Sequence, residues 1–127
     1  VDNRKKILVA EDNDSNYRLA AHMLKDDYAI IHAHNGVEAL NLFIHQKPDG
    51  ILMDINMPVM DGYECTRRIR EISKTVPIIA CTANAFESDR KRILSQGFNG
   101  YLPKPISSAQ VLLDALAAAN VGGWQRP

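Results

Sequence analysis

The chain has 127 residues, 46% of them hydrophobic and 24% charged, with fifteen Lys and Arg against fifteen Asp and Glu. That length supports one domain with its own core, and the composition is that of a soluble globular protein rather than a disordered one. Balanced charge gives no global field for nucleic acid or an anionic membrane, no apolar run reaches spanning length, and no basic-then-apolar leader opens the chain. Cys65 and Cys81 are too few for a disulfide framework or a zinc site, so buried, reduced thiols and a cytosolic setting are expected. The chain opens on Val1 rather than Met, as a segment of a longer protein would.

Along the chain, short apolar runs alternate with helix-period segments. Ile7–Ala10 is a continuous apolar run, expected of a strand covered on both faces. Asp14 or Ser15 can cap a helix through about Lys25, with Leu19, Ala20, Met23 and Leu24 on one face. A second strand is expected over Ala29–Ala33. Asn35-Gly36 then breaks the chain before a helix carrying Val37, Leu40, Phe43 and Ile44. Gly50–Met53 predicts a third strand. After the loop from Pro58 to Gly62 comes a helix whose stripe includes Cys65, Ile69 and Ile72. Val76–Cys81 is a fourth strand, followed by a more polar helix over roughly Glu87–Gln96 that ends at Gly97. Gly100–Leu102 is a short fifth strand. The last helix runs from about Ser108 to Asn120 and is stopped by Gly122-Gly123, leaving a loose tail over Trp124–Pro127. Five strand-then-helix units predict a parallel sheet with right-handed crossovers and helices on both faces. No repeat or linker calls for a second domain, so residues 1–127 are read as one unit with its core over about 5–120.

In open α/β sheets, ligands bind beyond the carboxyl ends of the strands, where strand order reverses. Strand one leads to Glu11-Asp12, strand three to Asp54, strand four to Thr82 and strand five to Lys104. Each residue has an ordinary reading by itself: a turn cap for Asp54, a solvated loop start for Glu11-Asp12, a β-branched strand residue for Thr82, a surface amine for Lys104. Together they gather chemistry at one edge. Two carboxylates about 4 Å apart repel by roughly 1 kcal/mol in bulk water and about 4 kcal/mol at a protein-surface dielectric. Three therefore call for a proton or a cation. Carboxylates completed by waters and a substrate phosphate suit Mg²⁺, with Mn²⁺ as an alternative ion. Asp12 and Asp54 are the expected side-chain ligands, joined by the Asn56 backbone carbonyl and a water held by Glu11. A metal-bound carboxylate can act as a nucleophile toward phosphorus, with Lys104 and Thr82 each reaching a phosphoryl oxygen.

The segments ILVAEDN, ILMDINMPVMDGYE, PIIACTANA and GYLPKPI resemble, in order and spacing, the receiver domain of response regulators, from about Lys5 to Asn120. The resemblance implies a (βα)5 flavodoxin-like fold with strand order 2-1-3-4-5. It makes Asp54 the phosphorylated aspartate, Glu11 and Asp12 the acidic magnesium pair, Thr82 the switch hydroxyl, Tyr101 the coupled aromatic and Lys104 the phosphate-binding lysine. It also implies a cis Lys104-Pro105 peptide, a geometry essentially confined to X-Pro bonds. Asn56 and Asn84 fall where the family tunes acyl-phosphate lifetime, and small Ala83 leaves the path to the phosphoryl group open. Glu11 stands where Asp is commoner, and Pro103 stiffens the loop before Lys104. EDNDSN, MPVMDGYECTRRIR and TANAF look most like receivers attached to hybrid sensor histidine kinases. Such a domain is not an enzyme in its own right, although it promotes its own phosphorylation and slow dephosphorylation. It takes phosphate from a histidine kinase and exchanges it with a histidine-phosphotransfer domain, as a monomer or weak dimer, on the cytosolic side and without contact to nucleic acid or membrane.

Other readings fit less well. A haloacid-dehalogenase phosphatase needs a second acid two residues after its nucleophile, where Asn56 stands. An EF-hand from Asp12 would put Tyr17 and Met23 where Gly and Glu belong. A flavodoxin-like cofactor site would place phosphate against the repelling Glu11-Asp12, and neither Walker nor dinucleotide glycine patterns occur. A pseudo-receiver would lack site residues that are all present. His22, His32, His34 and His45 suggest surface or packing roles, and Arg67, Arg68, Arg70, Arg90, Lys91 and Arg92 suggest solvated helix faces or partner contacts.

Overall fold

The computed structural model describes residues 4–83 and 87–121. Five strands alternate with five helices: β1 (Lys5–Ala10), α1 (Asp14–Leu24), β2 (Tyr28–Ala33), α2 (Gly36–Gln46), β3 (Gly50–Asp54), α3 (Gly62–Ile72), β4 (Ile78–Thr82), α4 (Glu87–Ser95), β5 (Gly100–Pro103) and α5 (Ala109–Ala118). All strand pairs are parallel, in the order β2-β1-β3-β4-β5. The parallel sheet with helices on both faces is what the alternation led one to expect, and the flavodoxin-like strand order is the one the receiver resemblance implied.

Period-two side chains divide the core into two layers. Ile7, Val9, Leu52, Ile79, Cys81 and Leu102 face Ala20 and Leu24 of α1 and Leu112 and Leu116 of α5. Leu8, Ala10, Ile51, Met53, Ile78 and Ala80 face the other way, onto Phe43, Cys65, Ile69 and Ile93 of α2, α3 and α4. The central strands β3 and β4 are buried along their whole length, which is why they read as unbroken apolar runs. Both cysteines are free and buried, and burial pushes the Cys65 thiol up to about 12 and the Cys81 thiol higher still.

Several expectations shift. Leu19 and Ile44 are 40% and 44% exposed and Ile72 51%, so the buried arc of each helix is narrower than its apolar stripe. The α1 cap is Asn13, whose side chain accepts from Asn16 N–H, and not Asp14 or Ser15. α5 ends before Gly122-Gly123: Asn120 turns left-handed (φ 63°), while Asn120 and Val121 N–H return to Ala117 and Leu116 carbonyls in a Schellman closure. The glycine pair, the Trp124–Pro127 tail and Asn84 lie outside the described residues. Three arginines are not simply solvated. Arg70 donates to Gly97 O, Ser73 O and Asn99 Oδ1, whereas Arg90 and Arg92 lie over the Tyr101 and Tyr63 rings. Arg67 and Arg68 do stay on an exposed face, paired with Glu64 and, for Arg67, Glu71.

Candidate functional site

β1 pairs with β2 on one side and β3 on the other, so the sheet's switch point opens at the carboxyl ends of β1 and β3. Glu11 and Asp12 leave β1 there, and Asp54 is the last residue of β3. Thr82 ends β4, and Lys104 follows β5, its N–H donating to Thr82 O at 2.9 Å. Ile55 N–H donates to Cys81 O at 3.2 Å, which carries the β3 ladder one step past Asp54. Gly62 closes the loop behind it: its N–H reaches Ile55 O at 2.8 Å, and a Cβ there would come within 2.4 Å of Asp54 O. Only glycine lets the first turn of α3 pack this close to the acid.

Lys104 Nζ lies 2.8 Å from Glu11 Oε1 and 3.0 Å from Asp54 Oδ2. Asp54 Oδ1 accepts the Asn56 N–H at 3.2 Å, and Glu11 Oε2 accepts the Asn13 N–H at 3.2 Å. Glu11, Asp12 and Asp54 each offer a carboxylate oxygen within 4.8 Å of the others. Glu11 and Asp54 are buried and Asp12 is exposed, so the cluster opens outward through a cleft bordered by Asp12, Asn56, Ala83 and Lys104. Thr82 is buried beside it, 3% exposed. The Lys104-Pro105 peptide is cis. Tyr101 is half-buried against the layer under α2, α3 and α4, with the Arg90 guanidinium carbon 5.1 Å from its ring centroid.

The electrostatics of the site follow from this crowding. Burial and the hydrogen bond with Glu11 push Asp54 up to about 7 from 3.8, against the pull of Lys104. Burial would also raise Glu11, but Lys104, Asp54 and the Asn13 N–H together hold it below the ordinary carboxylate range. Burial would lower Lys104, yet its bonds to the two carboxylates keep it above its usual value. One ammonium thus serves two buried acids and leaves Asp54 short of positive charge. An all-oxygen donor set with one carboxylate facing solvent fits a hard divalent cation such as Mg²⁺ better than a soft or imidazole-seeking one.

Site residues from four strand ends therefore come together, while Asn84 lies outside the described residues. Sequence reasoning passed over two features. Asp49, 3% exposed, is a second buried acid at the opposite end of β3, with Lys6 N–H donating to its Oδ2 at 2.8 Å. His32 reaches the main chain of Glu11, with Nε2 2.9 Å from its carbonyl oxygen. A histidine at the end of a predicted strand beside the acidic loop was the available signal.

A doubly wound sheet with three acids and a lysine gathered at its carboxyl edge defines the class of protein, and comparison with known proteins narrows it. The chain matches the response regulator receiver domain over residues 7–117 and belongs to that family. It is 40% identical over 126 residues to hybrid signal transduction histidine kinase B of Dictyostelium discoideum, covering 88% of this chain but 6% of that protein. It is 38% identical over 106 residues to the polar-differentiation response regulator DivK of Brucella anthropi, covering 81% of this chain and 86% of that one. Among solved structures, the receiver domain of sensor histidine kinase PA1611 of Pseudomonas aeruginosa, with a magnesium ion coordinated in its active-site cleft, superposes with a TM-score of 0.82 at 38% identity. That match covers 92% of this chain and 98% of the other. The chain is thus a receiver domain of two-component signalling, similar both to a small segment of hybrid kinases and to nearly the whole of a short regulator. No described helix is long and apolar enough to cross a membrane.

Proposed function

We propose that Asp54 is the phospho-acceptor of a phosphorelay, loaded from a phosphohistidine on a histidine kinase or histidine-phosphotransfer partner. The observation that carries this reading is the bridge of Lys104 Nζ to Glu11 and Asp54 at 2.8 and 3.0 Å within a cluster of three acids. Asp12 and Asp54, the Asn56 backbone carbonyl and a water on Glu11 would hold Mg²⁺. When bound, the ion offsets negative charge on the phosphoryl oxygens and on the acids.

In the transfer, an Asp54 carboxylate oxygen forms a bond to phosphorus as the phosphorus–nitrogen bond of the donor breaks. The donor imidazole leaves with the electron pair of that bond and takes up a proton. Lys104 then follows the new charge, its ammonium turning from the carboxylates to a phosphoryl oxygen. Thr82 donates its hydroxyl to another. Slow attack of water on the acyl phosphate restores Asp54, at a rate that Asn56, on the cleft rim, and Asn84 tune. The movement of Thr82 frees space that Tyr101 enters by turning inward, which reshapes the surface of α4, β5 and α5. Part of that shift is loss of the Arg90 contact over the Tyr101 ring, a cation–π interaction that favours the present half-buried position. We place the domain in the cytosol, acting through protein partners rather than nucleic acid or membrane.

Incubation with acetyl phosphate and Mg²⁺, followed by intact mass, tests the proposal. One phosphoryl group should be gained, and chelation of the metal should suppress it. Labelling that continues unchanged in Asp54→Asn would overturn the assignment.

A further inference from the structure

The end of β2 grips the loop that carries the acidic pair. Glu11 N–H donates to Ala33 O at 2.9 Å, and the Glu11 carbonyl accepts from His32 Nε2 at 2.9 Å. Both main-chain polar groups of Glu11 are therefore held by the neighbouring edge strand. A carbonyl oxygen can only accept, so His32 Nε2 must carry its proton. The ring has little freedom to turn away. It lies flat on Tyr17 of α1, with centroids 3.5 Å apart and planes within 2°, and the His34 ring lies 4.0 Å from it at 36°.

The Glu11 carbonyl belongs to the planar peptide that leads into Asp12. Gripping that oxygen sets the plane from which both acidic side chains depart. On one side Glu11 already reaches Lys104 Nζ and the Asn13 N–H. On the other, Asp12 must face outward to meet an ion shared with Asp54. A rotation of this peptide would separate the two directions, and past the Glu11 N–H bond to Ala33 O no ladder pairing among the described residues prevents it.

We infer that His32 is a positioning residue of the site, aiming the Glu11 and Asp12 carboxylates at the cation position beside Asp54 through its Nε2–H bond to the Glu11 carbonyl. Its effect on metal binding rests on the proposed metal role of those acids. Its effect on the loop does not.

His32→Phe keeps a ring against Tyr17 without the N–H, and His32→Gln supplies a side-chain N–H without the ring. The two variants separate hydrogen bonding from packing. His32→Phe should melt within about 4 °C of wild type, bind Mg²⁺ about tenfold more weakly by calorimetry, and exchange the Glu11 and Asn13 amides faster in the metal-free protein. His32→Gln should recover most of both losses. Unchanged Mg²⁺ affinity and amide exchange in His32→Phe would overturn the inference, as would a Gln variant no better than Phe. If His32→Phe does not fold, long-range ¹H–¹⁵N spectra of wild type decide: a protonated Nε2 supports the bond, and a bare Nε2 overturns it. Should wild type bind no Mg²⁺, the metal reading of the acids fails, while amide exchange in the metal-free variants still decides whether His32 holds the loop.

Discussion

Two buried aspartates bracket β3, and their surroundings differ. Asp49 and Asp54 are each 3% exposed and five residues apart, one just before β3 and the other its last residue. Asp49 stands just before the strand and clasps the start of β1: Lys6 N–H donates to its Oδ2 at 2.8 Å, and its own N–H returns to Lys6 O at 2.8 Å. Asp54, at the other end, shares a lysine with another carboxylate and is pushed up to about 7. An acid met by backbone donors stabilises a fold, whereas one held against other acids is poised to take up a proton, a cation or a phosphoryl group. Burial alone distinguishes nothing here. The partners do.

The largest expected effect breaks this comparison cleanly. Asp54→Asn should abolish phosphodonor labelling, while Asp49→Asn, if folded, should retain full stoichiometry by intact mass. Next comes stability. Asp49→Ala should cost on the order of 1–3 kcal/mol, by leaving the part-buried Lys6 N–H without its carboxylate, as read by urea unfolding.

Asp54→Asn should act in the opposite direction without metal. The folded pKa of Asp54 is raised from 3.8 to about 7, so its contribution is most favourable below pH 4 and is lost as pH rises through 7. Above that point the ionised carboxylate destabilises the fold. The Asn variant should therefore be more stable than wild type at pH 8, on the order of 1–3 kcal/mol, with the difference shrinking toward pH 4. Saturating Mg²⁺ should narrow it at pH 8 by stabilising wild type alone. A stability difference independent of pH would contradict the electrostatic account of the site.

Smaller effects should come from positions away from both acids. Val59, 81% exposed, holds a left-handed backbone (φ 71°) that β-branched residues disfavour. Val59→Gly should raise stability by about 0.5–1 kcal/mol. Thr66 Oγ1 is a buried side-chain oxygen without a hydrogen-bond partner, so Thr66→Val should be neutral or stabilising by under ~1 kcal/mol. Thermal melts check both.

The contrast between the two acids also marks what could be read from the chain. Strand–helix alternation was legible because β3 and β4 are apolar up to their last residues, Asp54 and Thr82, and because Asn35-Gly36 and Ser108 mark where helices begin. Glu11, Asp12, Asp54 and Lys104 were legible because topology sends the ends of parallel strands to one edge. Asp49 was not, since its partner Lys6 is 43 residues away and an acid after Pro48 looks like an ordinary turn. Arg70 was misread for the same reason: its acceptors Gly97 and Asn99 belong to the turn before β5. His32 escaped because stacking on Tyr17 depends on how α1 lies across the sheet, which periodicity does not specify. Residue types and spacing report which strand ends converge; they do not report which long side chain or main-chain group meets which.

The central claim concerns one carboxylate, so the most direct measurement locates the modified residue. The protein would be loaded with acetyl phosphate and Mg²⁺, reduced with borohydride, which turns an aspartyl phosphate into homoserine, and sequenced by tandem mass spectrometry. The account predicts homoserine at position 54 and an unaltered aspartate at 49. Homoserine at 12 or 49 instead, or at no position in a verified folded sample, would contradict it.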